Sequence, residues 1–167
     1  MARLGLIAAL GAIAMTAACD YRGSAASTAP SEAAVTYSAL PFFPRATTVR
    51  LHVLDGSGGS GPGDGKTLSA EQRRIFETAV RLKRTPPHAD GTYEARAISG
   101  CFDPHHFFRY YSADGTQVGE VQVCFCCDGV RFAPEPAFAA GEDIEADFVE
   151  LAKLVLQLGS KTEFACK

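Results

Sequence analysis

The chain has 167 residues, of which 47% are hydrophobic and 21% charged, with a formal net charge of -3. That composition supports one domain with a modest core. With no basic stripe along the chain, it argues against nucleic acid and against electrostatic adhesion to an anionic surface as partners.

The first segment, "MARLGLIAALGAIAMTAAC", has a positive charge at Arg3, an apolar run from Leu4 to Met15, then small residues. This is the layout of a secretory signal, and it is too short and too lightly flanked for a stable membrane span. Residues 1–18 are therefore expected to be a signal peptide. The last of these residues and the next, Thr16-Ala17-Ala18-Cys19, resemble the lipobox of bacterial lipoproteins, although Thr16 stands where such signals usually carry Leu or another aliphatic residue. The resemblance implies that Cys19 becomes the lipidated first residue of the mature chain, carrying palmitate-type acyl groups. Each buried methylene contributes about 0.8 kcal/mol, so several chains hold a protein firmly in a membrane. The other reading is ordinary cleavage after Ala14 or Ala18, leaving a soluble periplasmic protein. The expected location is the bacterial cell envelope, facing the periplasm. Asp20 implies inner-membrane retention in enterobacterial lipoproteins, but other groups sort differently, so inner or outer membrane stays open.

Residues 19–45, with "YRGSAASTAPSEAAVTYSALP", are rich in Ala, Ser, Thr and Pro without a sustained apolar period. They read as a flexible tether that would hold a domain some 25 to 30 Å from its anchor. Residues 46–167 then form a single globular domain. In "TTVRLHVLDG", Val49, Leu51 and Val53 alternate with Arg50 and His52, the period of a strand with one buried face, and His52 is expected to face solvent. The following "GSGGSGPGDGKT" approaches a phosphate-cradling loop but has Ser60 where that motif needs glycine, so it reads as a surface loop.

Ser69 and Gln72 form a capping box, with Leu68 placed as a staple. The helix they start carries Phe76 and Val80, with Ile75 and Ala79, on its apolar stripe. Lys83 and Arg84 suit its C-terminal end before Pro86-Pro87. "GTYEARAIS" reads as a short strand.

"HHFFRYYSADGTQVGEVQVCFCC" reads as a hairpin built on Asp114-Gly115. A two-residue type I′ turn would set His105 opposite Cys124. An Ala113-Asp114-Gly115 loop with a glycine bulge would bring His106 to the Cys124 face instead, and the sequence leaves both open. In "GEDIEADFVELAKLVLQLG", Ile144, Phe148, Leu151, Ala152, Val155 and Leu158 share one helical face, and Gly159 can end the helix. The expected class is α+β: a small antiparallel sheet of about four or five strands around a central hairpin, with two amphipathic helices on one face.

"CFDPHH", followed after the hairpin by "CFCC", resembles a pattern of uncharacterised bacterial exported proteins and lipoproteins. They read roughly Cys-Phe-x-Pro-(Arg/His)-His, then an Asp-Gly type turn, then Cys-Phe-x-Cys. The likeness runs from about Thr67 to Gly129 and matches Cys101, Phe102, Pro104, His106, Cys124, Phe125 and Cys127. Cys126 sits at a variable position, and the family has no established activity to carry over.

The residues themselves allow three readings of this cluster. Cys101, Cys124 and Cys127 with His105 or His106 make a Cys3His set whose thiolate and imidazole ligands suit zinc, or copper in an open, soft site. An exported protein instead favours disulfides among Cys101, Cys124, Cys126, Cys127 and Cys166. One plausible set joins Cys101 to Cys124 or Cys127, and Cys126 to Cys166. Thiol-disulfide exchange is the third reading, but "DGVRFAP" after the cysteines is a turn and a strand, without the helix N-terminus that lowers a thiol pKa. With no nucleophile elbow or shifted acid pair, the sequence points to a non-enzymatic binding or structural module. Its partners would be the membrane, through its lipid, and an envelope protein or small ligand.

Overall fold

The computed structural model describes residues 34–54, 65–93 and 102–163, all within a unit spanning Ala33–Lys167. The signal segment, Cys19, the loop at 55–64, most of "GTYEARAIS", Cys101 and Cys166 lie outside the described residues. The strands are β1 (Thr36–Ala39), β2 (Thr48–Val53), β3 (Lys66–Thr67), β4 (Val80–Arg84), β5 (His106–Tyr111), β6 (Gln117–Cys124), β7 (Gly129–Ala133) and β8 (Glu142–Ala146). The helices are α1 (Ala70–Ala79) and α2 (Phe148–Gln157).

The fold is α+β, but its strands form two antiparallel sheets instead of one. A three-stranded sheet has the order β1-β4-β8, and a five-stranded sheet has the order β3-β2-β5-β6-β7. The smaller sheet arises where the sequence suggested helix and tether. α1 begins on its capping box, Ser69 N donating to Gln72 Oε1 at 2.8 Å and Gln72 N to Ser69 Oγ at 3.2 Å. It stops at Ala79, because Val80 turns extended (φ -109, ψ 115) and the chain runs straight into β4. Val80 and Leu82 join the core with the period of a strand, while Lys83 and Arg84 meet Glu145 and Glu142 of β8.

The same correction applies to "EDIEA". Ile144, which fits the helical stripe of the last element, lies in β8 opposite Leu82. α2 begins only after its N-cap Asp147, whose carboxylate accepts from Val149 N and Glu150 N at 3.1 and 3.0 Å. At the far end Gly159 adopts φ +65, a conformation glycine takes without penalty. The ordered fold also starts earlier than composition suggests. β1 pairs with β4, and Leu40 and Phe42, inside the expected tether, are buried. Phe42 packs against Phe76, Tyr110 and Phe132, an apolar load that a solvated linker would not carry.

The core lies on one face of the five-stranded sheet. Val49, Leu51, Phe108, Tyr110, Val121, Val123 and Phe132 form one apolar cluster with Phe76 of α1 and Leu151, Leu154 and Val155 of α2. Phe76 stacks on Phe108 with centroids 3.9 Å apart.

β5 and β6 are joined through Ser112–Thr116, with Gly115 N donating to Ser112 O and Gly115 at φ +84. Ser112 pairs with Thr116 and Tyr111 with Gln117, the register of the Ala113-Asp114-Gly115 loop. An irregularity between Tyr110 and Tyr111 leaves Val118 as an extra residue in β6, so Tyr110 faces Gly119 and His106 faces Val123. One bulge thus undoes the shift introduced by the loop, and His105, not His106, stands in the row of Cys124.

Candidate functional site

β6 ends at Cys124, and a turn through Phe125–Asp128 leads into β7 at Gly129. Asp128 takes φ 46, a left-handed conformation that Asp tolerates better than most residues. The turn brings Cys124 and Cys127 to a Cα separation of 5.7 Å, and they are disulfide-bonded to each other. Cys126 is disulfide-bonded as well, and no further cysteine remains among the described residues to be its partner. The link from Cys101 to Cys124 or Cys127 is therefore replaced by a bridge local to the turn. Its chemical consequence is direct, since a bridged sulfur has no thiolate to offer zinc or copper. Among the described residues no group of three or more His, Cys, Asp or Glu side chains is placed to hold a metal ion.

The adjacent histidines divide between the two faces of the sheet. His106 lies on the core face, 1% exposed, with its ring edge-on to Phe125 at 4.8 Å. Its Nε2 lies 2.8 Å from Lys161 O; because a carbonyl only accepts, Nε2 carries the proton. Burial holds this imidazole below its usual range, opposed by the hydrogen bond to Lys161 and reinforced by nearby His105. His105 has its carbonyl engaged by Leu54 N at 2.8 Å, extending the pairing of β2 and β5.

Two phenylalanines complete this end of the molecule. Phe125 packs edge-on against Phe148 at the start of α2. Phe102 lies so close to Gly129 that a Cβ there would sit 2.8 Å from its ring, and Arg131 stacks over it at 4.4 Å. Of the residues in the two Cys-Phe stretches, Phe102 and Phe125 pack against their neighbours, His106 packs on Phe125 and hydrogen-bonds Lys161 O, and Cys124 and Cys127 are bonded to each other.

Sequence periodicity missed a second group of residues. His52 does point away from the core, but it is 1% exposed rather than solvated. Gly65 lies directly over its ring, where a Cβ would come within 2.4 Å of Nε2, and Tyr111 Oη is 3.3 Å from the same nitrogen. Around it on this face are Arg50, Phe107, Arg109, Glu120, Gln122 and Arg131. Alternation told which residues share the face but not what covers it. Lys66, the lysine of the Gly-Lys-Thr triplet, turns the other way and donates to Leu158 O and Gly159 O at 2.6 and 2.7 Å, capping α2.

Compared with protein-family models, curated proteins and solved structures, the chain matches none of them.

Proposed function

We propose that the protein is a non-enzymatic module of the bacterial envelope, anchored through a lipidated Cys19, whose Cys/His end is a disulfide-stapled structural element. The observation that carries this reading is the Cys124–Cys127 bridge with His106 turned to the other face. A third bonded cysteine, Cys126, fits the oxidising compartment that the N-terminal signal implies. In this reading the helices form a layer on one face of the larger sheet. The Asp114-Gly115 hairpin leads to the stapled turn, which His106 and Phe125 fasten to α2 and the segment behind it. The likeness to exported proteins sharing the Cys-Phe pattern agrees with this assignment.

The test is the intact mass of the chain purified from the envelope without reductant, under native and denaturing conditions, with and without thiol alkylation. Cys124 and Cys127 resistant to alkylation and no metal mass are expected. Retained zinc or copper with those cysteines alkylatable would overturn the staple in favour of a ligand set of Cys101, Cys124 and Cys127 with a histidine. Cys19→Ala is expected to move the protein from the membrane to the soluble fraction; a variant that stays with the membrane would refute the anchor.

A further inference from the structure

The register of the five-stranded sheet sets Thr67, Arg50, Arg109 and Glu120 side by side in one transverse row on the face turned away from the core. Arg50 and Arg109 are direct cross-strand partners, an arrangement that like charges disfavour. One carboxylate answers them, and it is already committed. Glu120 Oε2 accepts from Arg109 Nε at 2.7 Å and its Oε1 from Gln122 Nε2 at 2.9 Å. That pair is substantially withdrawn from water, the side chains being 21% and 11% exposed.

Arg50 is left over. It makes no ion pair among the described residues, and its Nε is buried without a hydrogen-bond partner. Its guanidinium is nevertheless held in place, with Cζ 5.4 Å from the centre of the Tyr111 ring. Tyr111 is itself fixed by packing and by its hydroxyl beside His52, which Gly65 covers. In the next row, where His52, Phe107, Gln122 and Arg131 are aligned, Arg131 adds another guanidinium with no carboxylate beside it in that row.

We infer that this face carries a binding site for a small oxyanion, a carboxylate or phosphate group, received between Arg50 and Arg109 with Thr67 at its rim. Planar guanidinium groups offer parallel N–H donors matched to these anions, and such charge-assisted bonds are among the strongest a protein forms. An oxyanion here would relieve the opposition of the two like charges. The site owes nothing to the lysine of the Gly-Lys-Thr triplet, because Lys66 is engaged at the end of α2. It is also independent of the disulfide turn.

The experiment follows the arginine Nε–H resonances of the purified mature chain during titration with sodium phosphate or sodium acetate, with chloride holding the ionic strength constant. A saturable shift at Arg50 and Arg109 with either probe, weakened about tenfold or more in Arg50→Gln, is expected. The probe that saturates at the lower concentration identifies the anion class. Arg74→Gln, which alters an exposed arginine paired with Glu71 on α1, is expected to leave the titration unchanged. Absence of saturation with both probes, or the same shift in Arg50→Gln as in the wild type, overturns the site. If Arg50→Gln does not fold, the wild-type titration decides: saturable shifts at Arg50 and Arg109 absent from Arg74 support the site, and their absence refutes it.

Discussion

Breaking the Cys124–Cys127 bridge is expected to weaken the domain without unfolding it. The bridge closes a loop with a sequence separation of only 3. Chain-entropy arguments for so short a loop give about 2 kcal/mol at 25 °C, near the low end for disulfides. Against a typical domain stability of about 5 to 15 kcal/mol, that loss leaves a folded majority, with a melting point lower by roughly 6 to 8 °C. The simple comparison with Cys124→Ala/Cys127→Ala would mix in a cavity, because Cys124 is buried in the wild type. A cycle removes that term: urea unfolding of wild type and double variant, each with and without a phosphine reductant. In the wild type the reductant opens this bridge and that of Cys126, whereas in the variant it opens only the latter. The difference between the two effects should be about 2 kcal/mol. A difference near zero, or one above about 4 kcal/mol, would refute the account of this bridge as a short local staple.

Lys66→Met should cost about 1 kcal/mol in urea unfolding, because it removes the two donors at the end of α2 while keeping most of the aliphatic stem. Gly65→Ala should destabilise by about 2 kcal/mol or more through collision with the His52 ring, and His52→Ala in the same chain should restore most of the loss; strict additivity of the two changes would contradict that contact. Stability should also fall with acid at His106. Its folded-state proton affinity lies below that of the unfolded chain, near pH 6.5, so the contribution is complete above that pH and is lost as pH falls toward the folded value. The slope for one such proton is at most about 1.4 kcal/mol per pH unit. His106→Gln should flatten it in urea midpoints compared between pH 7.5 and 5.5, and an unchanged slope would assign the effect to other groups.

Local sequence signals coincide with the structure where the chemistry is local. The Ser69–Gln72 capping box starts α1, Gly159 ends the last helix, and the alternation of Val49, Leu51 and Val53 marks a strand. Sequence and structure part where one apolar pattern satisfies two periods. Val80 and Ile144 fit a helical stripe, yet both sit in strands, because β4 and β8 each find a partner across the sheet that no local window contains. Composition likewise made β1 look like tether, since Thr36–Ala39 gains its order from pairing with β4 and not from burial of its own side chains.

The candidate site divides the same way. Sequence alone put Phe102, His105 and His106 at the start of one strand and Cys124, Phe125, Cys126 and Cys127 at the end of the next, because each group is contiguous along the chain. Which sulfurs join, which histidine shares the row of Cys124, and that Arg50 meets Arg109 across strands were decided by tertiary structure. Each depends on a register, and in a sheet one added residue, here Val118, exchanges the faces of everything beyond it.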